Sequence, residues 1–302
     1  MIWLIMWQQE NTLKIRSMIN GYIALTKPRI ISLLLITALG GLFLASGGFP
    51  DPITTVVVLV GGSLAAGGAN AINHFLDRDI DVKMSRTSQR PLVSGQVSPV
   101  PALIFGILLN VVAFAILWQM ANLISASLAL IATLFYVFVY TIGLKRTTPQ
   151  NIVIGGAAGS IPPMVGWAAV TGNILDPSPF LLFAIIFFWT PPHFWALSLI
   201  LKDDYEEAGI PMLPVVAGVQ STKKQIFAYT WILLALMVAT VLLAPGLGLI
   251  FGITSISLTF IFIGYTLRLL KQDGIGVARA TYLFSLAYLA LLFIAVIIEG
   301  IL

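Results

Sequence analysis

The sequence has no cysteine and very few charged residues. Of its 302 residues, 59% are hydrophobic and 9% are charged, and the mean hydropathy is +0.99. The lack of cysteine excludes disulfides, thiolate metal sites and a cysteine nucleophile. A soluble domain carries about 25% charged residues. This chain therefore cannot cover a water-facing surface and is expected to lie in a lipid bilayer.

Apolar runs of about 20 residues, the length that spans a bilayer, divide the chain. There are nine, at roughly 29–47, 52–75, 99–119, 122–141, 151–171, 179–201, 226–244, 248–267 and 280–298. This pattern predicts an all-α integral membrane protein with nine transmembrane helices in one domain, residues 22–302. The first 21 residues are predicted to form an interfacial or disordered tail.

The basic residues are segregated by side. When successive segments are placed on alternate sides, all 16 Lys and Arg residues fall on one of them. Basic loops face the cytoplasm, so we expect a cytoplasmic N-terminus and a C-terminus on the opposite side. Nine of the 12 acidic residues share the basic side, the exceptions being Asp51, Asp176 and Glu299. The topology rule hardly concerns acidic residues, so this bias needs another explanation.

One acidic cluster lies in NAINHFLDRDIDVKMSRTSQRPL, residues 70–92, where Asn73, Asp77 and Asp81 are spaced i, i+4, i+8. On a helix this spacing keeps the three side chains on one face. Two carboxylates at that spacing repel each other and favour a bound cation. Mg²⁺ takes such oxygen ligands together with substrate phosphate. The alternative is a polar helix end with solvated carboxylates, as we expect for Asp79.

A second acidic cluster, LKDDYEEAG at 201–209, follows the sixth predicted span on the same side. Two acidic clusters four spans apart suggest two related halves whose sites converge, a habit of membrane folds. The alternative is a solvated loop.

Basic residues follow the first cluster and the fourth span: Lys83, Arg86, Arg90, Lys145 and Arg146. Arg forks and Lys ammonium groups suit phosphate oxygens, so carboxylates and cations together favour a diphosphate pocket over a cation-transport path. A diphosphate held by an apolar bundle is expected to carry a lipid tail. Its departure would leave an allylic carbocation. Candidate aromatic wall residues are Tyr136, Tyr140, Trp167, Phe188, Trp189 and Trp195.

The pattern N-x-x-x-D-x-x-x-D at 73–81, followed by R-x-x-x-RPL at 86–92, resembles the UbiA superfamily of intramembrane prenyltransferases. Further stretches resemble its haem-farnesylating branch: LTKPRI at 25–30, DRDIDVKMSRTSQRPLVSG at 77–95, LKRTTPQNIVIGGAAGSIPPMVGW at 144–167, PPHFWALS at 191–198 and KDDYEEAGIPMLPVV at 202–216. The resemblance implies a UbiA-type bundle that transfers the farnesyl group of farnesyl diphosphate to a vinyl group of haem b. The products would be haem O, for terminal oxidase assembly, and diphosphate.

The resemblance also implies roles for the acidic and basic residues. Asn73, Asp77 and Asp81 would be catalytic residues that bind Mg²⁺. In the second region Asp203, Asp204 and Glu207 are candidate metal ligands, and Asp203 and Asp204 are also candidate catalytic residues. Lys83, Arg86, Arg90, Lys145 and Arg146 would hold the diphosphate. Many members of the superfamily have a second D-x-x-x-D motif here, and Leu201 stands at the position of its first Asp. The metal ligand in this region therefore stays open among Asp203, Asp204 and Glu207, with Asp204 preferred.

The chain has only two histidines. By the resemblance, His193 in the PPH stretch is a candidate axial ligand or propionate-side contact of haem, near a helix kink expected at Pro191 and Pro192. His74 is interpreted as a packing or interface residue.

The resemblance implies Mg²⁺ as cofactor and farnesyl diphosphate, haem b and membrane lipid as partners, with haem as substrate. Further candidate partners are haem-modifying proteins, oxidase-assembly proteins and a second copy of the chain, whereas nucleic acid is not expected. The expected location is the bacterial plasma membrane. The alternatives are a UbiA-type enzyme acting on an aromatic acceptor such as hydroxybenzoate, a cation or lipid-phosphate transporter, and a structural subunit of a respiratory complex.

Overall fold

The computed structural model describes residues 16–302. Within this part of the chain nine helices are long and apolar enough to cross a membrane, and no residue is in a strand. They are α1 (Pro28–Ser46), α2 (Pro52–Asp81), α3 (Pro99–Met120), α4 (Leu123–Leu144), α5 (Asn151–Thr171), α6 (Pro177–Ile200), α7 (Val219–Leu243), α8 (Leu249–Lys271) and α9 (Ile275–Ile301). The predicted all-α class and number of spans are confirmed for the described residues.

Shorter helical segments accompany the nine spans. Residues 16–26 are helical, and Lys202–Glu207 and Leu213–Val216 form two short helices between α6 and α7. The first 15 residues of the predicted tail lie outside the described residues, so the division into tail and domain stays a prediction.

Each long helix packs against the next one along the chain, and α9 closes the bundle against α1. Further contacts join α1 to α5 and α6 to α9. Since the spans alternate in direction, the connections that follow α2, α4, α6 and α8 meet at one end of the bundle. We call this end, which also holds the start of α1, the site end, and the opposite one the far end.

Two glycines let α1 and α5 approach until their backbones touch. A Cβ atom on Gly41 would lie 2.0 Å from the carbonyl oxygen of Pro163, and one on Gly166 would lie 2.0 Å from that of Ala38. Small residues permit such close helix packing in membranes, where burial of apolar surface gives no drive for association. The α1–α5 contact therefore depends on the absence of side chains at these positions.

The far-end carboxylates all bind the first turns of helices. Asp51 accepts a hydrogen bond from the backbone N–H of Thr54 at 2.7 Å, and Asp176 accepts one from that of Ser178 at 2.8 Å. Glu299 accepts one from the backbone N–H of Phe251, in the first turn of α8, at 2.6 Å. These N–H groups have no partner within their own helices, so all three acidic residues act as helix caps.

Several helices run further than their apolar runs. α2 remains helical through Asp81, whereas its apolar run ends near residue 75, and α7 begins at Val219 rather than near 226. α6 is helical without a break through Pro191 and Pro192. Asp77 and Asp81 at the end of α2, and Lys223 and Lys224 at the start of α7, thus belong to helices, which fixes the direction of their side chains.

Replacing Gly166 by Ala is expected to lower thermal stability, because the added methyl group meets the backbone of α1. Overpacking of this kind costs about 1–3 kcal/mol. Gly159, also on α5, has no heavy atom within 4 Å of a Cβ built on it. Gly159→Ala is therefore the matched control, and helix propensity favours it by up to about 1 kcal/mol. Unfolding midpoints in one detergent measure both, and equal midpoints would contradict the close α1–α5 contact.

Candidate active site

The site-end turns of α2 carry Asn73, Asp77 and Asp81 on one buried face. Their exposed fractions are 3%, 0% and 2%. The Nδ2 amide of Asn73 donates a hydrogen bond to Oδ2 of Asp77 at 2.7 Å. Because α2 stays helical through this stretch, the three polar groups form a continuous row, which we call the acidic row.

Two of the basic residues singled out in the sequence neutralise this row. Lys145 Nζ, just after α4, lies 2.5 Å from Asp77 Oδ2. Arg90 Nη1 donates to both carboxylate oxygens of Asp81, at 2.7 and 2.6 Å. An unpaired buried carboxylate would cost several kcal/mol, and these two pairs give each carboxylate of the row a cationic partner.

Arg146 lies at the rim of the same cluster. It binds both oxygens of Asp79 at 2.6 and 2.7 Å and also donates to the carbonyl of Leu76 at 3.0 Å. Its Nη2 is 3.7 Å from Oδ1 of Asp77. The hydrogen bonds that Arg146 donates to the Asp79 carboxylate raise the pKa of Arg146. Arg146 thus spans from the exposed Asp79 carboxylate to the buried acidic row.

The last part of α4 is a π-helix, Phe135–Leu144. Its wider turn appears in two bonds that reach back five residues: Lys145 N–H to the Tyr140 carbonyl at 2.8 Å, and Thr141 Oγ1 to the Tyr136 carbonyl at 2.8 Å. Asn73 Nδ2 donates to Thr141 Oγ1 at 3.2 Å. The π-turn thus leads into the residues that contact the acidic row, as π-helices often do at functional sites.

Lys27 joins the cluster from the segment before α1, and sequence reasoning missed it. Its Nζ donates to Oδ1 of Asn73 at 3.1 Å. Its backbone is left-handed, with φ 55°, a conformation that L-residues adopt at some cost and that collects at functional sites. Burial, followed by the charges of Arg90 and Lys145, lowers the pKa of Lys27 to about 7. The only sequence signal was its place in the LTKPRI stretch.

The donor set of the acidic row fits a hard divalent cation. Oδ1 of Asp77 is buried and has no hydrogen-bond partner among the described residues. Two carboxylates and an amide oxygen are the ligand type that Mg²⁺ prefers, with water and substrate phosphate filling its other positions. No group of three or more His, Asp and Glu side chains within residues 16–302 lies close enough to hold a metal by itself.

The second acidic region contacts the loop that follows the acidic row. Ser85 Oγ lies 2.8 and 2.9 Å from the two carboxylate oxygens of Asp204. Beneath this contact an apolar cluster joins the two segments, and it includes Ile80, Met84, Tyr205 and Met212. The two sequence regions that were expected to converge therefore meet at the site end.

The other candidates of these segments lie nearer to solvent. Asp203, Glu207, Lys83 and Arg86 are exposed. Burial raises the pKa of Tyr205, while the nearby guanidinium of Arg86 acts in the opposite direction. The choice of metal ligand among Asp203, Asp204 and Glu207 stays a prediction.

His193 lies on α6 and contacts residues of α9. Its Nδ1 is 2.7 Å from Ser285 Oγ. Its ring stacks between Trp189 and Tyr282, with centroid distances of 4.3 and 5.0 Å. His74, in contrast, is 3% exposed, and neither ring nitrogen has a hydrogen-bond partner among the described residues.

The aromatic residues proposed as cavity walls belong to several clusters. Tyr136 and Tyr140 stack on α4 with centroids 5.5 Å apart, close to the acidic row. Trp195 belongs to a cluster with residues of α7, α8 and α9. The other three, Trp167, Phe188 and Trp189, belong to the large core of the second half of the bundle. The two tyrosines thus lie on the π-helix that contacts the acidic row through Thr141 and Asn73.

Comparison with known families identifies the class of protein. The model of the UbiA prenyltransferase family matches residues 34–297. The chain belongs to this family of membrane prenyltransferases, which confirms the resemblance seen in the motifs.

Individual relatives refine the comparison. The chain is 50% identical over 283 residues to a protoheme IX farnesyltransferase of Nostoc sp., covering 93% of this chain and 89% of that protein. Among solved structures, it resembles digeranylgeranylglyceryl phosphate synthase, with a TM-score of 0.76, 20% identity and coverage of 94% of this chain and 99% of that one. It also resembles a UbiA homolog from Archaeoglobus fulgidus bound to DMAPP and Mg²⁺, with a TM-score of 0.62, 19% identity and coverage of 92% and 99%. At these identities the two structures establish the fold.

Removal of Lys145 is expected to destabilise the protein, since it strips the fully buried Asp77 carboxylate of its closest cation. Breaking a buried pair from one side costs about 3–5 kcal/mol. Lys145→Met is therefore expected to lower the unfolding midpoint, and the double variant Asp77→Asn, Lys145→Met is expected to recover part of the loss. Lys224→Met, which removes an exposed cation of the site end, is the control. Additive effects of the two single changes would contradict the pairing.

Proposed function

We propose that the protein transfers the farnesyl group of farnesyl diphosphate to a vinyl group of haem b, giving haem O and diphosphate. Membership of the prenyltransferase family and the similarity to a protoheme IX farnesyltransferase support this reaction. The observation that carries it is the buried acidic row, neutralised by Lys145 and Arg90 and joined by Lys27. Two buried carboxylates and three basic side chains thus meet at one place, which suits a metal-bound diphosphate.

The basic residues act by changing partners when substrate binds. Lys145, Arg90 and Lys27 have ammonium or guanidinium groups on the acidic row. A diphosphate offers these groups phosphate oxygens, which form charge-assisted hydrogen bonds with them. Arg86 and Arg146 at the rim, with Lys83 beside them, would hold the outer phosphate.

The carboxylates released by this exchange would hold the metal. Asn73, Asp77 and Asp81 would supply oxygen ligands, among them Oδ1 of Asp77, which has no hydrogen-bond partner among the described residues. When bound, Mg²⁺ would neutralise the diphosphate and stabilise it as a leaving group. The solved UbiA homolog bound to DMAPP and Mg²⁺ supports this assignment.

The reaction then needs no covalent protein intermediate. The bond between the farnesyl carbon and the diphosphate oxygen breaks, and the electron pair leaves with diphosphate. The terminal vinyl carbon of haem attacks the farnesyl cation, and water adds to the other vinyl carbon, supplies the hydroxyl and releases a proton. The apolar bundle excludes other water from the cation, and Tyr136 and Tyr140 lie nearest to the place where it forms. His193 is the candidate haem contact.

The membrane orientation is also proposed from charge. From residue 16 onward, the Lys and Arg residues lie in or beside the connections of the site end, and the positive-inside rule places such a face in the cytoplasm. The active site would then face the cytoplasm from a bacterial plasma membrane, with the N-terminus inside and the C-terminus outside. Residues 22–302 would form one catalytic domain.

Asp77→Asn is expected to abolish formation of haem O, because the row loses a carboxylate that would hold the metal. The assay uses purified protein in detergent with farnesyl diphosphate, haem b and Mg²⁺, and haem O is measured by chromatography and mass. The matched control is Asp51→Asn, the same change at the other end of α2, where asparagine caps a helix as well as aspartate does. Omission of Mg²⁺ is expected to act like Asp77→Asn.

The outcomes separate the alternatives. Consumption of farnesyl diphosphate without haem O would retain the diphosphate site and reject haem as acceptor, and a hydroxybenzoate acceptor would be tested next. Full activity of the Asp77→Asn protein would contradict the site. The transporter alternative is disfavoured because the far-end carboxylates, Asp51, Asp176 and Glu299, cap helices.

Lys27→Met is expected to weaken the use of farnesyl diphosphate. A hydrogen bond to a charged group contributes about 1.5–3 kcal/mol, so kcat/KM is expected to fall by about 10- to 150-fold. Arg29→Met, which removes an exposed cation two residues further on, is the control. Steady-state kinetics with varied farnesyl diphosphate measure both variants. An unchanged kcat/KM in Lys27→Met would remove this residue from the diphosphate site.

A further inference from the structure

His193 is held by a set of contacts that fixes its ring. Trp189 stacks on one side with an interplanar angle of 16°, and Tyr282 stacks with one of 28°. At the ring edge, Nδ1 is 2.7 Å from Ser285 Oγ. The indole N–H of Trp189 donates to the backbone carbonyl of Ser285 at 2.9 Å. Ser285 therefore holds both the histidine and one of the rings stacked on it.

The hydroxyl of Ser285 determines which ring nitrogen carries the proton. A serine hydroxyl has one proton to donate, and Ser285 Oγ donates it to the Tyr282 carbonyl at 2.6 Å. The contact with His193 must then run the other way, with Nδ1–H donating to Ser285 Oγ. A neutral imidazole has one N–H, so Nε2 keeps its lone pair. Among the described residues the only hydrogen bond of the His193 ring is the one through Nδ1.

We propose that Ser285 is a positioning residue that holds His193 as the Nδ1–H tautomer and so presents the Nε2 lone pair to the iron of a haem acceptor. Metal-binding histidines commonly donate their second ring N–H to an oxygen acceptor, which orients the ring and raises the basicity of the ligating nitrogen. The identity of the ligand rests on the proposed function. The tautomer rests only on the contacts of Ser285.

The second histidine provides an internal comparison. His74 is as deeply buried as its neighbours on α2, but no described residue forms a hydrogen bond with either of its nitrogens. It therefore lacks the orienting acceptor that His193 has. His193 therefore differs from His74 in having a hydrogen bond at one ring nitrogen, Nδ1, which orients the ring.

The tautomer is measured by ¹⁵N NMR of protein labelled on histidine, in detergent without haem. The chain has only two histidines, and His74→Gln leaves the signals of His193 alone. We expect a protonated Nδ1 and an unprotonated Nε2 in the native protein and in Ser285→Thr, which keeps the hydroxyl. Ser285→Ala is expected to give a mixture of tautomers. A protonated Nε2 in the native protein, or no change in Ser285→Ala, would overturn the role of Ser285.

The matched control for this substitution is Ser198→Ala. Ser198 is buried on α6, and its hydroxyl bonds the carbonyl three residues earlier, at Trp195, as that of Ser285 bonds Tyr282. Its removal is expected to leave the His193 signals unchanged. The native-protein and Ser285→Thr spectra decide the tautomer even where Ser285→Ala does not fold.

The ligand role is measured by titration with ferric haem b, followed by optical and electron paramagnetic resonance spectra. We expect an axial imidazole signature in native protein, its loss in His193→Ala, and a haem Kd about 10-fold weaker in Ser285→Ala, restored in Ser285→Thr. The contact between His193 and iron would be overturned if His193→Ala kept the axial imidazole signature. It would also be overturned if the native protein made haem O but showed no such signature. A native protein that neither binds haem nor makes haem O would overturn the proposed acceptor as well, whereas the tautomer is judged by NMR.

Discussion

The fully buried carboxylate of Asp77 is the constraint on which the site end depends. A carboxylate inside an apolar bundle stays charged only when cations and hydrogen-bond donors surround it. Lys145 and Asn73 contact it directly, and Arg146 approaches it from the rim. These contacts join α2 to the end of α4, and Lys27 adds the start of α1 through Asn73. The electrostatic requirement of one residue thus assembles three separate segments.

The two ends of the bundle use acidic residues differently. At the far end each carboxylate accepts hydrogen bonds from helix N-termini, so its charge is already committed to the fold. At the site end Asp77 and Asp81 are paired with Lys145 and Arg90, basic side chains that could bind another anion instead. Under the proposed function, this difference would confine diphosphate binding to one face and would account for the acidic bias that the topology rule leaves unexplained.

Features set by local sequence could be predicted. The nine spans follow from runs of apolar residues, because transfer into lipid depends on local composition. The alignment of Asn73, Asp77 and Asp81 on one face follows from helical periodicity. The only further condition was that α2 remain helical beyond the end of its apolar run, and it does. The start of α7 was placed too late, because Lys223 and Lys224 in its first turns ended the apolar run but not the helix.

Features set by long-range pairing could not be predicted. The π-helix that leads to Lys145 depends on a backbone register that an apolar run such as FYVFVYTIGL does not encode. Lys27 meets Asn73 across 46 positions, Ser85 meets Asp204 across 119, and His193 meets Ser285 across 92. Nothing in the local sequence of Ser285 distinguishes it from other helical serines of the bundle.

The proposed function requires the acidic row to exchange Lys145 and Arg90 for Mg²⁺ when diphosphate binds. Calorimetric titration of Mg²⁺ into the protein, with and without an unreactive farnesyl diphosphate analogue, measures this exchange. We expect reciprocal coupling: Mg²⁺ binds weakly alone, because Lys145 and Arg90 occupy the carboxylates, and much more tightly with the analogue. Asp77→Asn removes this coupling. Equal Mg²⁺ affinity with and without the analogue would contradict the exchange.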